Sequence, residues 1–403
     1  MAFVGLGGGY SPGRRGVRHV ICGSEAADNN LVEFRQSFEG FKRIPVDTDT
    51  LRLIREEVSK IRDEVKVIVE VRDPRVPMSS YSTMFKQWRK ELKTESMVIY
   101  TKAEIVPEDQ KERIRAFTMD QMDIPYEQVF FEDLRQVRKL RTPDRQEMVS
   151  KMKRLALLQG KPTMKRESYK VMVTGVPNSG KSSVVYVSTR TLTKNRKRRG
   201  LYSLPPVGFQ VGTTKVIGQN WLTLNPDVVL LDTPGVISKS HTGAEDPETP
   251  YKLAVCQCIS LTKLSEQTGI TSKEVADYLL FKLNQAQELT YTRIYDLILP
   301  TDDIDEVLQR VPGATDELKA LRFLRDFQRN KLGFLVLDDI PELETDRPDK
   351  EEVDDFVDEV ERKFQEVKRR TRLERMRQKR LMMWKDEPEE TSIGRNPPSD
   401  FNF

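Results

Sequence analysis

Histidine and cysteine are scarce in this chain of 403 residues, which holds only His19 and His241 of the one and Cys22, Cys256 and Cys258 of the other. An odd number of cysteines, two of them one residue apart, supports neither a disulfide framework nor a zinc site of common spacing, and points to a reducing compartment. Long apolar runs are also missing. The longest, such as 228–231, fall far short of the roughly 18 residues that a membrane helix needs, so no membrane-spanning segment is expected. Net charge is small, 67 basic against 63 acidic residues, yet charged residues make up 32% and hydrophobic ones 37% of the chain. That balance suggests a soluble globular body with charged appendages. Arg14, Arg15 and Arg18 precede the first acidic residue, Glu25, as in an organelle transit peptide. The glycines at 5, 7, 8 and 9 spoil the amphipathic helix of such a peptide and leave a flexible tail as the alternative.

Between 47 and 237 helical and strand-like segments alternate, which predicts a parallel sheet covered by helices. Leu51, Ile54, Val58 and Ile61 give an amphipathic helix over 50–62, and short apolar runs at 65–71, 97–100, 170–174 and 228–231 read as buried strands that end in polar turns. After His241 only helical patterns follow, at 251–264, 272–283, 302–310 and 315–330. A boundary is expected near 243–250, where Gly, Pro, Asp and Glu cluster. The resulting plan is an extension 1–45, an α/β domain 46–243, a helical domain 244–340 and a charged tail 341–403. In the tail, 342–361 is acidic, Val353, Phe356, Val357, Val360, Phe364 and Val367 follow helical spacing as one stripe, and 368–385 holds nine basic residues against Glu374 alone. The basic part is either a solvated helix or a contact for RNA phosphates.

Gly175-Val176-Pro177-Asn178-Ser179-Gly180-Lys181-Ser182 fits G-x-x-x-x-G-K-[ST] between an expected strand and an expected helix. Glycines there let backbone N–H groups turn inward on phosphates, with Asn178, Ser179, Gly180 and Ser183 in the cradle. Lys181 would reach the outer phosphates and Ser182 would offer its hydroxyl to Mg²⁺. About 50 residues further on, Asp232-Thr233-Pro234-Gly235 closes the run 228–231, where a Mg²⁺-side carboxylate belongs.

In ordinary small GTPases the guanine-reading segment follows these two motifs; here Met97-Val98-Ile99-Tyr100-Thr101-Lys102-Ala103-Glu104 resembles that segment and precedes both. The order is a circular permutation. The chain resembles the YlqF-type ribosome biogenesis GTPases and, among them, the mitochondrial ribosome-assembly branch. Further matching stretches are Val71-Arg72-Asp73-Pro74-Arg75-Val76-Pro77-Met78-Ser79-Ser80, Gly212-Thr213-Thr214-Lys215, Asp277-Tyr278-Leu279-Leu280 and Lys331-Leu332-Gly333, within 38–338. The resemblance implies a circularly permuted P-loop GTPase domain, mostly parallel sheet with helices on both faces, then an all-helical C-terminal domain and a charged helical tail. It implies GTP as ligand and Lys181, Thr214, Asp232 and Gly235 around the transferring phosphate. Ser182, Thr214 and Asp232 would serve Mg²⁺, with K⁺ at Asn178, and Thr101, Lys102 and Glu104 would face the base.

Two departures bear on mechanism. The guanine motif is normally Asn-Lys-x-Asp, so the extra methylene of Glu104 must be absorbed and Thr101 loses an amide that tethers neighbouring loops, which weakens the expectation of guanine selectivity. Nor is there a Ser-Ala-Lys-type loop near 130–134. The family's Phe-Pro-Gly-His-Met stretch is here Phe38-Glu39-Gly40-Phe41-Lys42, without the histidine, and Val236 stands where Ras-like enzymes place a glutamine. His241 is open to two readings, a group near the γ-phosphate water or a solvent-exposed loop residue. Hydrolysis without an added positive charge is of order 10⁻⁴ to 10⁻² s⁻¹, so a slow enzyme stimulated by a partner is expected. Arg190, Lys194, Arg196, Lys197, Arg198 and Arg199 form an acid-free cluster in the switch region. With Lys368, Arg369, Arg370 and Arg372 they are the candidate RNA contacts, to large-subunit ribosomal RNA beside ribosomal proteins of an assembly intermediate in the mitochondrial matrix. The alternatives are a pseudo-GTPase placeholder on the same particle and a P-loop kinase, the latter without a lid signature.

Overall fold

The computed structural model describes residues 33–134, 142–158, 168–192, 217–224 and 227–341, with the single positions 362, 369, 373, 376 and 377. They form two compact units, one of 41–271 with the residues from 336 onward, the other of 33–40 with 272–335. The expected boundary at 243–250 therefore lies inside the larger unit.

The larger unit is built on strands β1 (Val65–Arg72), β2 (Glu95–Thr101), β3 (Val129–Glu132), β4 (Tyr169–Thr174), β5 (Gly218–Leu224) and β6 (Asp227–Asp232). They pair in the order β3-β2-β1-β4-β6-β5. All neighbours run parallel except β5 and β6. Counted cyclically from β4, the strand that leads into the P-loop, the order becomes 2-3-1-4-5-6, an unpermuted doubly wound sheet whose chain has been opened elsewhere. Helices α1 (Thr48–Lys60), α2 (Thr83–Leu92), α3 (Glu108–Met122), α4 (Pro143–Leu158), α5 (Lys181–Leu192), α6 (Thr249–Val255) and α7 (Leu261–Thr268) complete this unit.

Alternation along β1 sorts its side chains onto two faces. Val67, Val69 and Val71 join Met148, Met152, Leu155, Val184 and Val185 of α4 and α5. Ile68 joins Ile54, Val58, Met84, Phe85 and Trp88 of α1 and α2 on the other face. Because both faces are covered, the central strands read as continuous apolar runs, and their unpaired polar ends are left for a site. Asp47 starts α1 by accepting from the Thr50 amide at 3.1 Å.

The smaller unit comprises α8 (Ser272–Gln285), α9 (Thr290–Ile294), α10 (Ile304–Arg310) and α11 (Asp316–Gln328). Its N-terminal segment is anchored by Arg35, which donates to both oxygens of Asp277 at 3.1 and 2.7 Å, and by Phe38, edge-on to Tyr278. The helix expected over 251–264 is two helices. Gln257 takes a left-handed φ of 62° between them, and the Cys258 amide turns back to the Leu253 carbonyl at 2.8 Å. No helix among the described residues is long and apolar enough to cross a membrane.

Candidate functional site

Strands β1, β2, β4 and β6 end side by side, and the loops that leave them meet at one edge of the sheet. The tightest approach is at Gly175, with φ of 144°, where an added Cβ would lie 2.2 Å from the Val71 carbonyl oxygen. No side chain fits there, so the P-loop can pass directly over the end of β1. Asn178 holds a left-handed φ of 56°. Its amide donates to the Gln257 carbonyl at 2.9 Å, which leaves its own carbonyl oxygen for another partner. Gly180, φ 99°, abuts Thr101 so closely that a Cβ would come within 2.9 Å of the threonine methyl. Gly235 packs on Pro177 in the same manner. The Asp232–Gly235 loop is bound to the P-loop strand through Thr233 N to Val173 O (3.2 Å) and Val236 N to Gly175 O (3.2 Å).

Charge is concentrated on this frame. Lys181, buried at the start of α5, donates to the Val176 carbonyl at 2.7 Å. Burial lowers its pKa to about 8, against the raising influence of Asp232. Ser182 donates to Asp232 Oδ2 at 2.7 Å. Burial raises the Asp232 carboxyl above its usual value, while the Ser182 hydroxyl and Lys181 pull it back. Asp232 Oδ1 is buried with no hydrogen-bond partner among the described residues, as is the Ser179 hydroxyl. A carboxylate oxygen without a donor beside a serine hydroxyl fits a hard divalent cation completed by phosphate oxygens and water. Ser183, in the same helical turn, is partly exposed.

The base side follows its motif less closely. Thr101, buried, donates to the Ser179 carbonyl at 2.7 Å, so its hydroxyl restores the tether between loops that the missing asparagine amide was expected to remove. Lys102 has a left-handed φ of 59° and pairs with the buried Asp73. Glu104 lies in the single 3-10 turn Ala103–Ile105, partly buried.

Comparison with known proteins agrees with this geometry. A family model described as 50S ribosome-binding GTPase matches residues 170–290, beginning in β4 and leaving β1 to β3 upstream. Mitochondrial ribosome-associated GTPase 1 of Ictalurus punctatus is 35% identical over 45% of this chain and 60% of its own length. The protein of that name from Xenopus tropicalis is 31% identical over 67% of this chain and 86% of its own length. This chain belongs to the mitochondrial ribosome-associated GTPase 1 family. The GDP-bound structure of TM YlqF matches with a TM-score of 0.40 and 18% identity, over 70% of this chain and 98% of that one.

For this member of the GTPase family, several expected positions fall outside the described residues: the switch threonine Thr214, the basic residues Lys194, Arg196, Lys197, Arg198 and Arg199, and Lys368, Arg370 and Arg372 of the tail. Arg190 stands over the Tyr186 ring of its own helix, 4.4 Å from the centroid, and Arg369 is helical and exposed. Both readings of His241 are corrected. It is fully buried, accepts from the Ser238 amide at 2.9 Å through Nδ1 and meets the Tyr81 carbonyl at 3.0 Å through Nε2. Desolvation lowers its pKa to about 4, so it is a neutral structural latch with no face toward a nucleotide. Val236 belongs to the core beside Leu231 and cannot orient water. Asp73 lies in the family-matching stretch 71–80, but no sequence signal assigned its carboxylate a role or paired it with Lys102.

Proposed function

We propose that this GTPase binds Mg²⁺·GTP, hydrolyses it slowly, and acts as an assembly factor of the large ribosomal subunit in the mitochondrial matrix, where its nucleotide state governs docking on ribosomal RNA and ribosomal proteins. The observation that carries the reading is the convergence of Lys181, Ser182 and Asp232 on a glycine-shaped P-loop, in a chain whose relatives are named mitochondrial ribosome-associated GTPases. Lys181 would neutralise the outer phosphates, while Ser182 and the free oxygen of Asp232 would hold Mg²⁺, directly or through water. The metal would supply charge neutralisation between the phosphates. The carbonyl oxygen of Asn178 is the group available for K⁺. Thr214 would close on the γ-phosphate, and Gly235 would give the closing loop its room against Pro177.

Slow turnover follows from what the described residues lack at the reaction centre: His241 is a latch and Val236 is in the core. Phosphoryl transfer then depends on positioning and neutralisation alone until a partner adds charge. The same observations favour a second reading, a placeholder that binds the particle with little hydrolysis. Single-turnover hydrolysis of GTP with and without purified large-subunit particles separates them. A rise of about 100-fold or more on adding particles supports the enzyme, and an unchanged background supports the placeholder. Basic residues at 190–199 and 368–385 are the proposed phosphate contacts. Deleting 368–403 is expected to weaken particle binding, most at low salt and less as salt rises, and to leave GTP affinity as it was.

A further inference from the structure

The buried carboxylate at the end of β1 has no part in the phosphate chemistry. Asp73 is fully buried, and both of its oxygens are engaged. Oδ1 accepts from the Arg75 amide at 3.1 Å and from Arg75 Nε at 3.0 Å, and Oδ2 accepts from Arg75 Nη2 at 2.7 Å. Oδ2 also takes the ammonium of Lys102. Together the two cations hold the Asp73 carboxyl well below the usual carboxylate range despite its burial. The loop that carries Arg75 is itself fixed. Leu337 N donates to the Arg75 carbonyl at 2.8 Å, and Asp338 accepts from the Met78 and Ser79 amides at 2.8 and 2.9 Å.

A buried ion pair made only for the core would be complete with Arg75, which neutralises the aspartate and spans both oxygens. Lys102 is a second, supernumerary partner. It comes from a different strand end, it is 31% exposed, and it sits in a left-handed conformation that a lysine does not choose unaided. Lys102 is also the one residue of the base-reading segment that keeps the family's usual type. With its ammonium drawn to Asp73, it offers a neighbouring base its four-carbon stem in place of a hydrogen-bond donor.

We propose that Asp73 is a positioning residue for nucleotide binding: by pinning the Lys102 ammonium it fixes the lysine stem as a preset apolar floor for the purine. The role rests on the nucleotide reading above and deepens it. An apolar floor serves any purine equally, so it sets affinity and leaves discrimination to Glu104. It also reverses the electrostatic expectation. If Lys102 acted on the nucleotide only through its charge, removing the negative charge of Asp73 would tighten binding of a polyanion; if Asp73 positions Lys102, the same change weakens it.

The experiment is equilibrium displacement of a fluorescent GTP analogue by GTP and by ITP, which lacks the exocyclic amine, from the full chain with Mg²⁺. Asp73→Asn and Lys102→Met should each weaken GTP and ITP alike, by about tenfold, with an unchanged GTP/ITP ratio. The double variant should be no worse than either single one, and Lys102→Arg, which can still reach Asp73, should keep most of the affinity. Should Asp73→Asn fail to fold for want of an Arg75 partner, Lys102→Met and Lys102→Arg leave that pair intact and carry the test. Tighter binding by a folded Asp73→Asn, additive losses in the double variant, an altered GTP/ITP ratio, or wild-type affinity in Lys102→Met would each overturn the proposal. A wild-type chain that binds neither nucleotide would overturn the nucleotide reading itself, a result distinct from these.

Discussion

The phosphate half, at the ends of β4 and β6, and the base half, at the end of β2, lie on one edge of the sheet with β1 between them, but they keep their motifs to different degrees. On the phosphate half each motif position is filled by the expected type, and the backbone leaves almost no freedom: Gly175 and Gly235 sit where a single methyl group would collide with the Val71 carbonyl or Pro177. On the base half two of the three motif residues have changed, and the local contacts have been rebuilt around them. Thr101 reaches a P-loop carbonyl with its hydroxyl, and Lys102 leans on a carboxylate from another loop. The difference has a physical origin. Phosphate is held by backbone N–H groups whose directions depend on φ and ψ, so substitutions there break the fold. A base is held by side chains, whose length and donors can be exchanged if a neighbour compensates.

The largest effect is expected from Lys181→Ala, which should lower GTP affinity by about 1,000-fold in a calorimetric titration, because it leaves the phosphate charge and Asp232 without their cation. A loss of less than tenfold would put affinity on the base half and break the comparison. Next comes a control in neither half. His241 is charged in the unfolded chain below its ordinary pKa of 6.5 but in the folded one only below about 4. The unfolded state therefore binds more protons between these values, and stability should fall by roughly 3 kcal/mol as pH drops from 6.5 to 4. Chemical denaturation of His241→Gln across this range should show that slope removed.

A smaller effect sharpens the phosphate half. Lys181 in the nucleotide-free protein titrates near 8, so GTP affinity should be level well below that pH and fall about fivefold from pH 8 to 9 as binding comes to require proton uptake. Its stability contribution runs the other way. Between 8 and the usual 10.5 the unfolded chain holds a proton that the folded chain has released, so this group makes folding more favourable as pH rises. Smallest of all, Glu104→Asp should raise the GTP/ITP ratio by about threefold at most, since one methylene moves a bidentate acceptor that the surrounding loop has partly accommodated. Competition binding of the two nucleotides reads it directly.

The sequence made the sheet's centre legible and its margins not. β1, β2, β4 and β6 are buried on both faces and show as apolar runs, whereas β5 (Gly218–Leu224) opens Gly-Gln-Asn and β3 (Val129–Glu132) has four residues, so neither edge strand stands out. The break between α6 and α7 left no signal because apolar spacing continues through Cys256 and Cys258 while the backbone reverses at Gln257. At the site, every residue of the P-loop and of the Asp232–Gly235 loop could be named from spacing. The latch of His241 and the clamp of Asp73 could not, since Tyr81 lies 160 residues from the one and Lys102 29 residues from the other, in segments that only the fold brings together.

The central claim is that a preassembled phosphate cradle and a rebuilt base side still form one purine nucleotide site. Its most direct test is displacement of the fluorescent GTP analogue by GTP, ATP and XTP with Mg²⁺ and K⁺ present. The account predicts that GTP displaces it at least about tenfold more tightly than ATP or XTP, with the preference kept in Lys102→Met. Equal displacement by all three would mean that Glu104 reads no base and would contradict the account.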